Sequence, residues 1–220
     1  MIRILVIGSS GHAKCVIDSI ELAGQYRIVG LVDDYRAAGE RTGIYQVLAT
    51  IKDLPDLVRE HQPTGYIVAI GDNFARASVV DKVKLLCPEL DLIQAIHPNA
   101  IVARGSVIGA GTVIFAGAVV APGCEIGMGC VINTAASIDH DSCMHDFSSL
   151  APRVVTGGNC QIGKYTAIGI GAVLSHRISV GAHCVIGAGA VVLRAVEPLS
   201  ISYGSPARLI RTRVAGEKYL

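Results

Sequence analysis

The sequence predicts two structural parts, a small α/β domain with a parallel sheet followed by a solenoid of short β-strands. Strand-like and helix-like segments alternate over residues 1–98, and a six-residue repeat then runs from Ala100 to Ala195 without an insertion. The composition agrees with a solenoid, because tryptophan is absent and 25 of the 220 residues are glycine. Small aliphatic side chains must therefore build most of the core.

The first part is predicted to be a Rossmann-like series of strands and helices. In chain order we expect a strand over 2–8, a helix over 12–23, strands over 27–34 and 45–48, a helix over 54–62, a strand over 65–72, a helix over 73–87 and a strand over 90–96. Val16, Ile17 and Ile20 have the spacing of one helical face. This alternation implies a small parallel sheet with right-handed crossovers.

The second part divides into sixteen consecutive hexads, and this repeat is the strongest pattern in the sequence. The third place of the hexad is Ile, Leu or Val in fourteen of the sixteen, and the first place is nearly always small. Such a unit suits a short flat strand followed by a tight corner, so three units would close one triangular coil. Four cysteines take the first place and are predicted to be small core residues: Cys124, Cys130, Cys160 and Cys184.

Composition excludes several classes of protein. With 19 basic and 18 acidic residues and no basic cluster, a nucleic-acid partner is not expected. Seven cysteines without a C-x-x-C pair, and no signal-peptide pattern at the N-terminus, favour a reducing, cytoplasmic setting.

The uncharged stretch 105–124 has the length of a membrane span, but its glycines, Pro122 and its hexads argue against insertion. No residue pair combines metal-ligand spacing with a supporting motif, so no metal is expected.

Three loops of the first part are candidates for ligand binding, because each follows a predicted strand. The loop Gly8–His12 precedes the first helix, where backbone N–H groups favour an anion such as a phosphate. Asp33 and Asp34 end the second strand, and a Gly-Asp-Asn segment ends the strand over 65–72. The carboxyl ends of parallel strands meet at one sheet edge, where such domains bind ligands. The candidate residues are Ser10, Gly11, His12, Asp33, Asp34, Gly71, Asn73 and Arg76.

Two alternatives apply to this edge. The first is an NAD site, since an acid at the end of the second strand could bind a ribose. The loop lacks the G-x-G-x-x-G fingerprint, however, because Ser10 and Ala13 stand where glycines are needed. The second is a loop that only turns, followed by a solvated acidic strand end.

The candidate for acid–base chemistry is the pair His140 and Asp141, at the fifth and sixth places of one hexad. Both side chains are expected to point outward at a corner. A neutral imidazole can take a proton from an attacking amine or hydroxyl, and a neighbouring carboxylate can orient it. The alternative is an exposed histidine that happens to fall on a bend.

Four features of the chain point to one family: the GxxGH loop, the Gly-Asp-Asn-x-x-Arg segment, the uninterrupted hexads and the sequence Ser-Ile-Asp-His-Asp over 137–141. In these features the chain resembles the bacterial hexapeptide-repeat sugar acyltransferases. That family includes sialic-acid O-acetyltransferases and N-acetyltransferases of nucleotide-linked amino sugars. The resemblance implies a left-handed parallel β-helix over 99–195, an acceptor-binding domain over 1–98 and a closing tail over 196–220. It also implies a homotrimer with its active sites between subunits.

The resemblance further assigns roles to individual residues. It implies that His140 is the general base, that Asp141 polarises it, and that Asn133 lies near the acceptor. Acetyl-CoA is implied as the co-substrate, in a groove between neighbouring solenoids. The residues expected to contact it are Gly158, Ile170, Gly204, Pro206 and Arg208.

The function expected from these observations is transfer of the acetyl group of acetyl-CoA to the amino group of a nucleotide-linked amino sugar. An amine is a stronger nucleophile than a hydroxyl, and the three loops suggest that the acceptor carries a nucleotide that they bind. One alternative is O-acetylation of a sialic-acid-like or other sugar hydroxyl, with the same fold and base. Another is a non-catalytic trimeric scaffold that binds a nucleotide sugar.

Overall fold

The computed structural model describes residues 1–219, which form two compact units. The first unit is Met1–Pro98, and the second begins at Asn99. The first is an α/β domain and the second is built almost entirely from two-residue strands.

The first unit contains a six-stranded sheet flanked by helices. Its elements are β1 (Ile2–Ile7), α1 (Gly11–Ala23), β2 (Tyr26–Val32), β3 (Arg41–Thr42), β4 (Tyr45–Ala49), a 3-10 turn (Ile51–Asp53), α2 (Leu54–His61), β5 (Gly65–Val68), α3 (Asn73–Leu86), β6 (Asp91–Leu92) and β7 (Ala95–Ile96). The strand order is β3-β4-β2-β1-β5-β6, and its pairs are parallel except β3 with β4. The predicted parallel sheet is thus confirmed.

Local sequence explains where the helices begin and end. α1 buries Val16, Ile17 and Ile20 and stops at Gly24, whose φ of 66° is the left-handed conformation that ends many helices. α3 begins after Asp72, whose side chain accepts a hydrogen bond from the N–H of Ala75 at 2.9 Å.

Three strand predictions need correction. The strand expected over 65–72 ends at Val68, because Asp72 is needed as the cap of α3. The strand expected over 90–96 is split into β6 and β7, and only β6 pairs with β5. β3 was not predicted, since a two-residue strand leaves no hydrophobic pattern.

The second unit is a β-helix of sixteen short strands, one in each predicted hexad. The strands β8 to β23 are Ile101–Val102, Val107–Ile108, Val113–Ile114, Val119–Val120, Glu125–Ile126, Val131–Ile132, Ser137–Ile138, Cys143–Met144, Ser149–Leu150, Val155–Thr156, Gln161–Ile162, Ala167–Ile168, Val173–Leu174, Ser179–Val180, Val185–Ile186 and Val191–Val192. Every third strand pairs in parallel, as in Val119 with Ser137. Three hexads therefore make one coil of three faces, as predicted.

Each hexad alternates a strand with a tight corner. The second place is exposed or half-buried in all hexads except those of Val113, Val131 and Ala167, which are buried. The third place points into the core, where residues such as Ile114, Ile132 and Ile138 are fully buried. The four cysteines at the first place are also fully buried, which confirms their prediction as core residues. From the hexad at 100–105 to the one at 184–189, every sixth place has a positive φ whether or not it is glycine.

The tail after the last hexad forms a hairpin. β24 (Ser200–Tyr203) pairs in parallel with β22 and antiparallel with β25 (Arg208–Thr212). This hairpin extends one face of the β-helix beyond its last coil.

Candidate active site

The corner after β14 carries the two candidate catalytic side chains. His140 and Asp141 are both exposed, and Nδ1 of His140 lies 2.8 Å from Oδ2 of Asp141. Asp141 has a φ of 56°, a left-handed conformation that aspartate adopts more readily than most residues. The local turn alone therefore brings the imidazole and the carboxylate together.

The hydrogen bond fixes the position of the imidazole proton. An ionised carboxylate only accepts hydrogen bonds, so neutral His140 carries its hydrogen on Nδ1 and a lone pair on Nε2. The hydrogen bond with Asp141, helped by the charge of Asp139, raises the pKa of His140 above its usual value. Nε2 can accept a proton, and the resulting imidazolium is stabilised.

Two glycines in the neighbouring coils make room for this pair. A Cβ atom added to Gly123, one coil earlier, would lie 2.6 Å from Oδ1 of Asp141. A Cβ atom added to Gly158, one coil later, would lie 2.6 Å from Nε2 of His140. Both distances are too short for real carbon atoms, so any side chain at either place would displace the pair. Nε2 of His140 consequently faces the backbone of Gly158.

Gly123 and His176 belong to this corner but are absent from the predicted set. Nδ1 of His176 accepts a hydrogen bond from the N–H of Gly158 at 3.1 Å. The repeat could have predicted this contact. His140, Gly158 and His176 occupy the fifth place of hexads that are three apart, so they lie above one another in successive coils. Stacking the hexads in threes would have placed these residues above one another.

Asn133 and Ile170 lie on a different edge of the β-helix from His140. Asn133 follows β13 and Ile170 follows β19, and these two strands share a face that does not contain β14. Ile170 is exposed, whereas Asn133 is half-buried and accepts a hydrogen bond from the N–H of Thr134 at 2.8 Å. Within one chain, the fold therefore does not bring them next to the His140 imidazole.

The tail contributes to a cavity of about 320 Å³ at the end of the β-helix. Pro206 and Arg208 line it together with Arg194 from the last hexad. Gly204 lies in the hairpin turn with a φ of 97°, which only glycine adopts easily. Two guanidinium groups against the one carboxylate of Glu197 leave this cavity with a net positive charge, which suits an anionic ligand.

The predicted anion-binding loop of the first unit leads directly into α1. Ser10 is the exposed N-cap residue, and its side chain makes no capping hydrogen bond. Gly11 opens the helix, so the N–H groups of the first turn have no intrahelical partner. Burial, with the charge of Arg76, lowers the pKa of His12 to about 4. His12 is therefore neutral at pH 7.

The two acidic residues after β2 are held by the loops around them. Asp33 accepts hydrogen bonds from the hydroxyl of Ser9 at 2.6 Å and from the N–H of Tyr35 at 2.8 Å. Asp34 accepts one from the N–H of Ile51 at 2.8 Å and borders a cavity of about 580 Å³. The other residues that line this cavity are Thr50, Ile51, Lys52, Lys82, Leu85 and Leu86.

The loop after β5 is organised by a buried guanidinium. Arg76 is 1 % exposed and donates to the carbonyls of Ile70 and Gly71, both at 2.9 Å. It also donates to Oδ1 of Asn73 at 2.6 Å. Buried charges are retained where such partners satisfy them. Asn73 and Arg76 therefore shape the loop and present little of their own surface to a ligand.

Residues 1–219 contain neither a metal-ligand cluster nor a membrane-spanning helix. No group of three or more His, Cys, Asp or Glu side chains in this range could hold a metal ion. No helix in this range is long and apolar enough to cross a membrane.

Family comparisons match both parts of the chain. A family model described as the PglD N-terminal domain matches residues 3–83, and one described as bacterial transferase hexapeptide (six repeats) matches residues 159–194. UDP-N-acetylbacillosamine N-acetyltransferase of Bacillus subtilis (strain 168) is 32% identical over 113 residues, which cover 49% of this chain and 48% of that protein. The match spans about half the length of this curated relative.

Two solved structures are similar over almost the whole chain. A histidine mutant of GDP-perosamine N-acetyltransferase from Caulobacter crescentus, in complex with CoA and GDP-perosamine, is 30% identical with a TM-score of 0.90, covering 94% of this chain and 96% of that one. The acetyltransferase domain of PglB from Neisseria gonorrhoeae FA1090, in complex with acetyl coenzyme A, is 32% identical with a TM-score of 0.86, covering 94% and 98%. These matches confirm the predicted fold class, an α/β domain followed by a left-handed parallel β-helix.

Proposed function

Because the chain belongs to the hexapeptide-repeat sugar N-acetyltransferases that carry a PglD-type N-terminal domain, we propose that it transfers the acetyl group of acetyl-CoA to the amino group of a nucleotide-linked amino sugar. The hydrogen-bonded pair of His140 and Asp141 at an exposed corner carries this proposal. The similar Caulobacter protein binds CoA and GDP-perosamine, and the similar Neisseria domain binds acetyl coenzyme A.

His140 acts as the general base of a direct transfer. Its Nε2 takes a proton from the acceptor amine as the amine nitrogen attacks the thioester carbonyl carbon. Asp141 stabilises the imidazolium that forms, and CoA leaves as the carbon–sulfur bond breaks. A backbone N–H beside Nε2 would stabilise the negative charge that develops on the thioester oxygen, and Gly158 offers one there.

The nucleotide of the acceptor is assigned to the carboxyl edge of the first unit's sheet. The open first turn of α1 at Ser10 and Gly11 suits the diphosphate. Neutral His12 adds no charge of its own, and Asp33 or Asp34 offers carboxylate oxygens to hydroxyl or base N–H groups. Asn73 and Arg76 hold the third loop in place.

The acetyl-CoA site is assigned to the β-helix and its tail. Gly158 lies beside the catalytic imidazole, and Ile170 offers an exposed apolar surface. The cavity lined by Arg194, Pro206 and Arg208 supplies positive charge for the phosphates of CoA.

A homotrimer is supported by the outward face of the sheet that contains β14. Ile101, Val155 and Val173 point outward from this face and are 63%, 44% and 41% exposed. A row of exposed aliphatic side chains is typical of a protein interface. The face is bordered by the edge with Asn133 on one side and by the edge with His140 on the other. Packing three copies around an axis would place one edge of each copy beside the other edge of its neighbour.

The seven cysteines are free thiols. Free thiols are typical of proteins in a reducing compartment, so we expect the enzyme to work in the cytoplasm.

The test is an assay with acetyl-CoA and a panel of UDP-, dTDP- and GDP-linked amino sugars together with free sialic acid. Thiol release and a product heavier by one acetyl group are expected with at least one nucleotide-linked amino sugar. His140→Ala should lower kcat by about 10² to 10⁴, the usual contribution of a general base. His61→Ala, a histidine on α2 away from the candidate residues, is the matched control and should keep full activity.

Other outcomes would change the assignment. Product with free sialic acid alone would indicate O-acetylation. Acetyl-CoA binding without thiol release for any acceptor would favour a non-catalytic scaffold. Full turnover by folded His140→Ala would remove the general base from this corner.

A further inference from the structure

His176 lies in the same column as the catalytic imidazole, with Gly158 between them. Its Nδ1 accepts the N–H of Gly158 at 3.1 Å, while Nε2 of His140 faces Gly158 from the coil before. The His176 ring is exposed to solvent. A second imidazole therefore accepts the backbone N–H of the residue that faces the His140 imidazole.

This contact is not needed to hold the backbone in place. The N–H of Gly157 already donates to the carbonyl of Leu174 at 2.9 Å, and the carbonyl of Gly158 accepts the N–H of Arg177 at 2.9 Å. These ladder bonds fix the peptides on both sides of the Gly158 N–H, as they do throughout the β-helix. The specific effect of His176 is therefore on the donor itself.

The Gly158 N–H and an incoming thioester oxygen have complementary chemistry. A carbonyl oxygen close to Nε2 of His140 needs a hydrogen-bond donor as its negative charge develops. The N–H has one hydrogen, and His176 already accepts it. A thioester oxygen must therefore replace the imidazole before it can use this donor at full strength.

We propose that His176 is a positioning residue that keeps the Gly158 N–H in a hydrogen bond until the thioester oxygen of acetyl-CoA displaces its Nδ1. This inference rests on the proposed acetyl-transfer function and adds a residue to that site. His176 makes no covalent bond and transfers no proton. It weakens the binding of acetyl-CoA, because the imidazole has to turn away before the thioester oxygen can accept the Gly158 N–H.

Two substitutions separate this role from a structural one. His176→Asn keeps an acceptor oxygen near the position of Nδ1, whereas His176→Leu has a similar size and no acceptor. In His176→Leu, water takes the place of the imidazole at the Gly158 N–H. Acetyl-CoA then no longer has to break the hydrogen bond between this N–H and His176. We expect His176→Leu to lower the KM for acetyl-CoA by about two- to tenfold. Because the thioester ground state and the transition state gain equally, kcat should stay unchanged.

The controls decide between outcomes. His176→Asn should keep the wild-type KM, and His61→Leu on α2 should change neither constant. A raised KM or a lowered kcat in His176→Leu would indicate a structural role and overturn the proposal, as would equal KM values in His176→Leu and His176→Asn.

A direct readout uses the wild-type protein labelled with ¹⁵N-histidine. The Nδ1 resonance of His176 should lose its hydrogen-bond shift when acetyl-CoA is added. Binding of acetyl-CoA with an unchanged His176 resonance would overturn the role of His176 and leave the acetyltransferase function intact. No binding of acetyl-CoA by calorimetry would instead contradict the proposed function.

Discussion

His140 and Asp141 show how two consecutive residues can form an acid–base pair. The hydrogen bond with Asp141 and the charge of Asp139 raise the pKa of His140. His183, at a later corner of the same β-helix, has its pKa lowered by burial and by the charges of two basic residues, Arg213 and Lys164. The same side chain thus acquires opposite proton affinities from its surroundings, and only the surroundings of His140 stabilise an imidazolium.

The pH dependence of activity should reflect the raised pKa of His140. The base works only when neutral, so activity should fall as the pH drops through its pKa. Asp141→Asn removes the carboxylate, so the pKa should decrease and the acid limb of kcat/KM should move to lower pH. The plateau should lose only part of the roughly 10²- to 10⁴-fold contribution of the base.

Asp139→Asn is the matched control for this prediction. It removes a carboxylate that acts on His140 mainly through its charge, so its shift should be in the same direction and smaller. An acid limb that stays in place in Asp141→Asn would contradict the assignment of that limb to His140.

His12 should make the stability of the protein depend on pH. Its pKa is about 4 in the folded state, against a usual value of 6.5. Between these values the unfolded chain binds more protons, so the free energy of unfolding should decrease as the pH falls from 6.5 towards 4. The full shift corresponds to about 3 kcal/mol.

His12→Gln should flatten this dependence. The measurement is urea unfolding of both proteins at pH 7 and pH 5, with His61→Gln as the control that keeps the wild-type slope. An unchanged slope in His12→Gln would show that His12 is not held neutral by the fold.

At the scale of elements, the corner of the hexad decides which residues can stack. Phe147, Tyr165 and His183 occupy the sixth place in three successive coils. The Phe147 and Tyr165 rings are 5.9 Å apart and nearly parallel, and the Tyr165 and His183 rings are 4.7 Å apart. Gly129 occupies the same place one coil earlier, and a Cβ atom there would fall on the Phe147 ring. Gly129 therefore ends the aromatic column.

Gly129→Ala should destabilise the β-helix through this collision. Gly171 has a similar positive φ, 66° against 62°, with no atom near its Cβ position, so Gly171→Ala measures the conformational cost alone. We expect Gly129→Ala to unfold more easily than Gly171→Ala by about 1 to 3 kcal/mol, the usual cost of overpacking. Chemical denaturation of the two variants measures the difference. Equal losses would mean that the Phe147 ring moves aside freely.

At the scale of the whole molecule, one face of the β-helix differs from its neighbour. The sheet with β14 presents aliphatic residues outward, such as Val155 and Val173. The next sheet presents Glu125, Gln161 and Ser179 at the equivalent outward places. The second face has one exposed valine, Val107, but the first has more aliphatic side chains and therefore gains more from burial against another copy.

Light scattering should give a mass of about three times the 22.9 kDa of the chain. Val173→Glu would place a carboxylate in the proposed interface, where an unpaired charge is costly, so it should dissociate the trimer and reduce activity. Ser179→Glu, at the equivalent place on the polar face, should change neither property. A wild-type monomer at micromolar concentration would contradict a site between subunits.

The sequence by itself determined the fold class, the hexad register and the pairing of His140 with Asp141. These features are local, because a six-residue period and two adjacent residues in a turn need no distant contact. The sequence could not determine the length of β5, the existence of β3 or the burial of Arg76, because these depend on partners elsewhere in the fold. Only the tertiary structure decided how closely Gly123, Gly158 and His176 approach the pair of His140 and Asp141, because the distances between residues eighteen positions apart depend on how the coils stack.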